Sequence, residues 1–377
     1  MTLNYAVDHI VFGPDDVDLT KSPLRASLQS QGADTFVLGA FNPGLTRLPN
    51  GNLLIMVRVA EALREPVQSG FAHAVRWTEK GYRLDAYPVE SLDLTDPRKF
   101  QLTTHFFKTM GLTSLSWLLP VELTADGTSV VRAHYEKAIA PTTEYQEYGL
   151  EDARISLIDG TYNMTACSVS AARHATSLYT SRDGLNYELR GLVLDHQNKD
   201  MLFFEGKIAS KFWAMTRPLG DLYFVYPPDS PYHAGPSINL ATSPDGLHWK
   251  PHEAPFIRPR KGSLVTTRIG GGAPPIRSEK GWLAVFHGVT QKDVVGIYRT
   301  FWALLDGDDP TKVLHLEDSA PVLEYRANLL SSIQDKIYLT DVVFTTGIAR
   351  LDKVYVVASG EADLACRITH IPRAQFE

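Results

Sequence analysis

Glu151 and Asp152 stand side by side in the stretch EYGLEDARISLIDGTYNMTACS (Glu147 to Ser168), with Arg154 two residues further on. Two carboxylates and a guanidinium so close together make either an ion-paired strand end or a proton donor held ready for bond cleavage. In sugar chemistry one carboxyl protonates the leaving oxygen, and an inverting hydrolase needs a second carboxylate to deprotonate water. No obvious second carboxylate accompanies this pair. Charged groups recur instead inside apolar, glycine-bearing segments: FNPGLTRLPNGNLLIMVRVAE, HQNKDMLFFEGKI, AMTRP, TTRIGGGAPPI, VFHGV and GIYRTFWALLD. Burying such charges is costly unless they are paired or hold a ligand.

The elements that must position these groups are short strands. Helical periodicity is scarce. The β-rich runs are NLLIMVRVA, RISLIDGTYNMTACSVS, KFWAMTR, DLYFVY, GWLAVFHGV and KVYVVAS, with turn signals at Pro49-Asn50-Gly51, Asp159-Gly160, Asp183-Gly184 and Asp245-Gly246. This pattern predicts an all-β protein. LYTSRDGLNYEL (Leu178 to Leu189) and LATSPDGLHWKP (Leu240 to Pro251) repeat strand, Ser, x, Asp-Gly, Leu, x, aromatic, 62 residues apart. Asp-Gly supplies the tight turn and the aromatic packs between neighbouring units. A repeat of this length with four short strands fits propeller blades of roughly 60 to 75 residues, about five in all. The expected organisation is a five-bladed β-propeller over residues 41–377, a single domain with an N-terminal extension over residues 1–40.

Composition narrows the partners. Net charge is -6 and no basic block occurs, so neither nucleic acid nor an anionic membrane is expected. Cys167 and Cys366 sit among small or apolar neighbours and read as buried free thiols. MTLNYAVDHIVFGPDD lacks the pattern of a signal peptide, and no apolar run approaches the ~20 residues that span a bilayer. The expected location is cytoplasmic. The twelve histidines show no metal-ligand spacing, so no metal is expected. Gly270-Gly271-Gly272 lacks the βαβ setting of a dinucleotide loop.

Taken in order, these segments resemble glycoside hydrolase family 130, the β-mannoside phosphorylases and related mannosidases. The matching text is Asn42-Pro43-Gly44 with Arg58, Glu151 to Ile155, Asn198-Lys199-Asp200 and Arg217-Pro218. Further on come Gly270 to Ile276, Gly281-Trp282-Leu283, His287-Gly288-Val289, and Ala303 to Asp306 with Asp309-Pro310. The resemblance implies a five-bladed propeller, in agreement with the repeat. It implies Asp152 as the general acid, passing its proton through the 3-hydroxyl of the bound mannosyl unit. The nucleophile would be inorganic phosphate, a co-substrate rather than a cofactor, giving α-mannose 1-phosphate with inversion. Phosphate is already anionic and needs no base; it needs cations and donors. By motif, Arg58, Arg217, Arg268, His287 and Tyr298 stand where the family holds phosphate or subsite residues. Asn42, Glu151, Asn198, Lys199, Asp200 and Asp363 would surround the sugar, with Arg154 orienting Asp152. Family members often assemble, and a homo-oligomer is left open.

Each residue has a plainer reading. Asp152 and Arg154 would form a strand-end ion pair, Arg58 and Arg217 would pair with acidic loops, and His287 would be a satisfied core histidine. The chain also departs from the family pattern: Ala153 replaces a proline, Thr216 a histidine and Arg268 a lysine, and Glu361 is new. The favoured expectation is an inverting β-mannoside phosphorylase. The alternatives are an inverting mannoside hydrolase, with Glu361 or Glu205 as its base, and a non-catalytic carbohydrate-binding propeller.

Overall fold

The structure is a computed structural model that describes residues 5–96, 98–105, 108–194, 196–220 and 222–376. It is all-β, as expected; among the described residues five antiparallel sheets of four or five strands follow one another along the chain. The first takes Thr35–Arg47, Leu53–Leu63, Ser114–Leu123 and Val130–Ala133. The second takes Leu150–Ile158, Thr161–Val169, His174–Ser181 and Glu188–Leu194. The third runs from Asn198–Phe203 to Lys250–Pro251, and the fourth from Arg268–Gly271 to Val313–Glu317. The fifth joins Val343–Leu351, Val354–Glu361 and Ala365–Pro372 to the N-terminal strand Asp8–Phe12.

Buried apolar clusters lie between the sheets. Leu54 and Met56 meet Ile155 and Met164 between the first and second. Ile158 and Leu178 meet Phe203 and Ala214 between the second and third. Leu202 and Met215 meet Phe286 and Ala303 between the third and fourth. Val285 meets Val343 and Val357 between the fourth and fifth. Val356 and Ile368 of the fifth return to Leu53 and Ile55 of the first. Both faces of the inner strands are thereby covered, which accounts for strands that read as apolar runs rather than alternating ones.

The two repeat copies occupy the same place, between the third and fourth strands of the second and third sheets. Ser181 Oγ accepts from Gly184 N and Asp183 Oδ1 from Leu185 N and Asn186 N; Ser243 and Asp245 make the matching bonds to Gly246, Leu247 and His248. Tyr187 and Trp249 pack into the clusters between sheets.

Three features differ from expectation. Residues 1–40 are not set apart: Asp8–Phe12 completes the fifth sheet and the strand Thr35–Arg47 crosses the boundary at 40. The Asp8 carboxylate accepts from Arg367, Thr369 and Arg326, tying the first strand to the last. Within DLYFVY, residues 222–226 form no strand, and Phe224 and Val225 are 82% and 90% exposed. Pro227 and Pro228 follow this run directly, and neither has an N–H to extend a ladder. Finally, an excursion between the second and third strands of the first sheet, residues 64–113, carries two three-stranded sheets packed around Ala72, Ala74 and Phe100. Cys167 and Cys366 are buried free thiols. No helix among the described residues is long and apolar enough to cross a membrane.

Candidate active site

The leading strands of the first three sheets share a local distortion. Their registers shift between Phe41 and Gly44, between Glu151 and Arg154, and between Lys199 and Leu202. At each shift one polar residue takes a left-handed backbone: Asn42 at φ 49°, Asp152 at 52° and Asp200 at 55°. A bulge of this kind re-aims a side chain that regular pleating would send elsewhere. Asn and Asp tolerate this conformation better than other non-glycine residues. All three line one cavity of about 850 Å³, with Arg58, Glu151, Lys199, Arg217, Tyr298 and Asp363.

The acid pair is held from the first sheet. Arg58 donates Nη1 to Asp152 Oδ1 at 3.1 Å, Nη2 to Glu151 Oε1 at 2.8 Å and Nε to Ser116 Oγ at 3.0 Å. Asn42 Nδ2 adds a bond to Asp152 Oδ1 at 2.9 Å. Lys199 Nζ lies 2.8 Å from Glu151 Oε2. Burial disfavours a charged Glu151, but the Arg58 and Lys199 charges outweigh it and hold its carboxyl well below the usual carboxylate range. Glu151 therefore stays ionised and serves as an anchor.

Arg154 does not pair with the Asp152 carboxylate. It is buried behind the cavity, donating Nη1 to the Asp152 carbonyl at 2.6 Å and Nε to the Gly272 carbonyl at 2.5 Å. It thus braces the bulge rather than the acid. Its Nη2 stands 3.7 Å from Asp200 Oδ1. Asp200 Oδ2 lies 3.0 Å from Arg217 Nη1, which also donates to His287 Nε2 at 3.0 Å. His287 is fully buried; burial first, then the Arg217, Arg154 and Arg268 charges, push its pKa far below the usual histidine range. It is a neutral acceptor that fixes Arg217. Arg154 Nη2 and Arg217 Nε are buried donors with no hydrogen-bond acceptor.

The remaining expected residues divide between the cavity and its supports. Tyr298 lines the cavity, while Arg268 stands behind it, donating Nη2 and Nε to the Tyr298 hydroxyl at 2.7 and 3.1 Å. Asn198 does not line the cavity: it is fully buried, accepting from the Arg217 backbone and donating to Thr176. Asp363 lines it at φ 49°, and burial raises its carboxyl above the usual range. Glu361 and Glu205 lie outside the cavity lining. Glu361 is fully buried, 2.9 Å from Arg367 Nη1. Arg98, Lys99, Arg173, His174 and Tyr338 also line the cavity without a motif to mark them in the sequence. They fall outside the recurring motif segments, and only the folded chain brings them in. Among the described residues no group of three or more His, Cys, Asp or Glu could hold a metal ion.

Residues 88–375 match the family described as β-1,4-mannooligosaccharide phosphorylase. The chain belongs to glycoside hydrolase family 130. It is 32% identical over 320 residues to a β-1,2-mannobiose phosphorylase of Listeria innocua, covering 82% of each chain. It is 30% identical over 241 residues to a 1,2-β-oligomannan phosphorylase of a Thermoanaerobacter species, covering 63% of this chain and 73% of that one. The solved structure of a β-1,2-mannobiose phosphorylase from Listeria innocua, in complex with β-1,2-mannobiose, superposes with a TM-score of 0.80 at 29% identity. That match covers 98% of this chain and 97% of the other.

Proposed function

We propose that this chain is an inverting β-mannoside phosphorylase acting on a β-1,2-linked mannoside, with its five sheets arranged as the blades of one propeller. The observation that carries this reading is the charge of the cavity wall. Arg217, which lines the cavity, has a buried Nε donor with no acceptor, and each carboxylate lining the cavity has a cation within 4 Å. Such a wall suits an anionic nucleophile and leaves little scope for a carboxylate base. The two residues suspected as a hydrolytic base support the same reading, since neither lines the cavity. The activities of the relatives from Listeria innocua and Thermoanaerobacter favour the β-1,2 linkage.

In the reaction a phosphate oxygen attacks the anomeric carbon while the bond from that carbon to the acceptor oxygen breaks. The Asp152 proton travels through the mannosyl 3-hydroxyl to the departing oxygen, leaving Asp152 as a carboxylate. Arg58 and Asn42 fix the acid, Arg217 and Tyr298 face the phosphate, and Asp200, His287 and Arg268 hold those two in place. Preorganised donors of this kind act where charge develops and need no rearrangement during the reaction. The test is incubation with β-1,2- and β-1,4-mannobiose, with and without phosphate, followed by phosphorus NMR. α-Mannose 1-phosphate should form from the β-1,2 substrate only when phosphate is present. Free mannose released equally fast without phosphate would overturn the proposal.

A further inference from the structure

The catalytic groups stand on the leading strands of the sheets, but one wall of the cavity comes from the excursion, residues 64–113. This wall carries Arg98, Lys99 and Lys108. Arg98 donates Nε and Nη2 to the Asp96 carboxylate, both at 3.0 Å, and its Nη1 stands 3.8 Å from Asp363 Oδ2. Lys99 Nζ lies 3.6 Å from the same Asp96 carboxylate. Lys108 is exposed and close enough for its charge to act on Lys99. Burial first, then Lys108 and Arg98, hold the Lys99 ammonium below the usual lysine range against the pull of Asp96. Arg98 and Lys99 thus share the Asp96 carboxylate, Arg98 also faces Asp363, and Lys108 stands beside Lys99, so three cations meet two carboxylates.

This surplus is local, because the whole chain carries a net charge of -6. It is also separate from the cations that hold the acid and face the phosphate. Crowded like charges beside a cavity are relieved by an anion, which arginine and lysine bind through charge-assisted hydrogen bonds. A cavity of about 850 Å³ is near the upper end of the ~300–1,000 Å³ usual for ligand sites, so the sugar transferred and its phosphate need not fill it.

We propose that Arg98, Lys99 and Lys108 form an outer subsite for an anionic group, phosphate or carboxylate, carried by the acceptor sugar. The assignment of that sugar as acceptor rests on the phosphorylase reading above.

The test is equilibrium binding by calorimetry, in saturating inorganic phosphate so that the inner anion site is filled. Mannose, mannose 6-phosphate and mannuronate are the probes, against the full chain and its Lys99→Gln and Lys108→Gln variants. The wild type should bind the anionic sugars at least ~10-fold more tightly than mannose, and each variant should cut that ratio to ~3-fold or less. A gain with the phosphate ester alone assigns the subsite to phosphorylated acceptors; a gain with both assigns it to anionic sugars in general. Binding of all three probes within about twofold, or a preference that survives in both variants, overturns the proposal. Lys108 is exposed, so its variant reads the charge without disturbing the fold. The measurement needs no turnover. Its failure is therefore distinct from failure of the phosphorylase reading, which the phosphate-dependence assay reports.

Discussion

Asn42 Nδ2 lies 2.9 Å from Asp152 Oδ1, and the two residues come from leading strands of different sheets. Both have left-handed backbones at a register shift. The contact fixes the candidate acid from across the boundary between the first and second sheets, so its orientation is a property of the assembled fold.

Asp152→Asn should lower phosphorolysis by at least ~100-fold, the usual scale of a positioned acid, because the amide keeps the shape without the transferable proton. Far-ultraviolet circular dichroism should be unchanged. Turnover near that of the wild type, measured by release of α-mannose 1-phosphate, would remove Asp152 from the mechanism.

Gly360 gives Asn42 its room. A Cβ at Gly360 would stand 1.9 Å from Asn42 Oδ1 and 2.9 Å from Asn42 N. Gly360→Ala should cost ~1–3 kcal/mol of stability by overpacking. It should lower turnover by ~10-fold or more, since displacing a positioning group by an ångström is expensive in rate. Thermal melting and kcat measured on the same preparation check both effects.

Glu361 should matter for stability and not for chemistry. Its pairing with Arg367, which also holds Asp8, closes the fifth sheet onto the N-terminal strand. Glu361→Gln should lower stability by up to ~3–5 kcal/mol, the cost of breaking a buried pair. The phosphate-dependent rate per folded molecule should be kept. Loss of activity in a fully folded variant would instead favour a hydrolytic base at this position.

His174 predicts acid sensitivity. Burial first, then the Lys199 charge, lower its pKa from 6.5 to about 4 in the folded protein. Between those values the unfolded chain binds a proton that the native state does not, so stability is full above about pH 6.5 and falls as the pH drops towards about 4. His287 is shifted in the same direction. His174→Gln should remove ~2 kcal/mol of the stability lost between pH 7 and pH 4. Urea midpoints of both proteins across that range measure the difference, and parallel pH curves would exclude the histidine as a source.

Much of the site was legible because local chemistry wrote it. Asp152, Asp200 and Asn42 stand at bulges, where a polar residue beside an apolar strand is visible in one dimension. Asp183-Gly184 and Asp245-Gly246 marked repeating units because a tight turn restricts residue type. The supporting roles were not legible. Arg58, Arg154 and Arg217 look alike as arginines inside apolar runs, yet Arg58 holds the acids, Arg154 braces a backbone carbonyl and Arg217 faces the cavity. Nothing in DLYFVY marked residues 222–226 as a surface loop, since β propensity speaks of packing that the chain there does not find.

The sequence by itself determined the all-β class, the turn-punctuated repeat, the acid pair and the cationic character of its surroundings, because these depend on residue type and short spacing. The tertiary structure alone decided which cation meets which carboxylate, that Asp8–Phe12 closes the fifth sheet, and that Arg98 and Lys99 reach the cavity from a separate excursion. Ion pairing depends on distances of a few ångströms between groups far apart in the chain, and those distances exist only once five sheets have packed against one another.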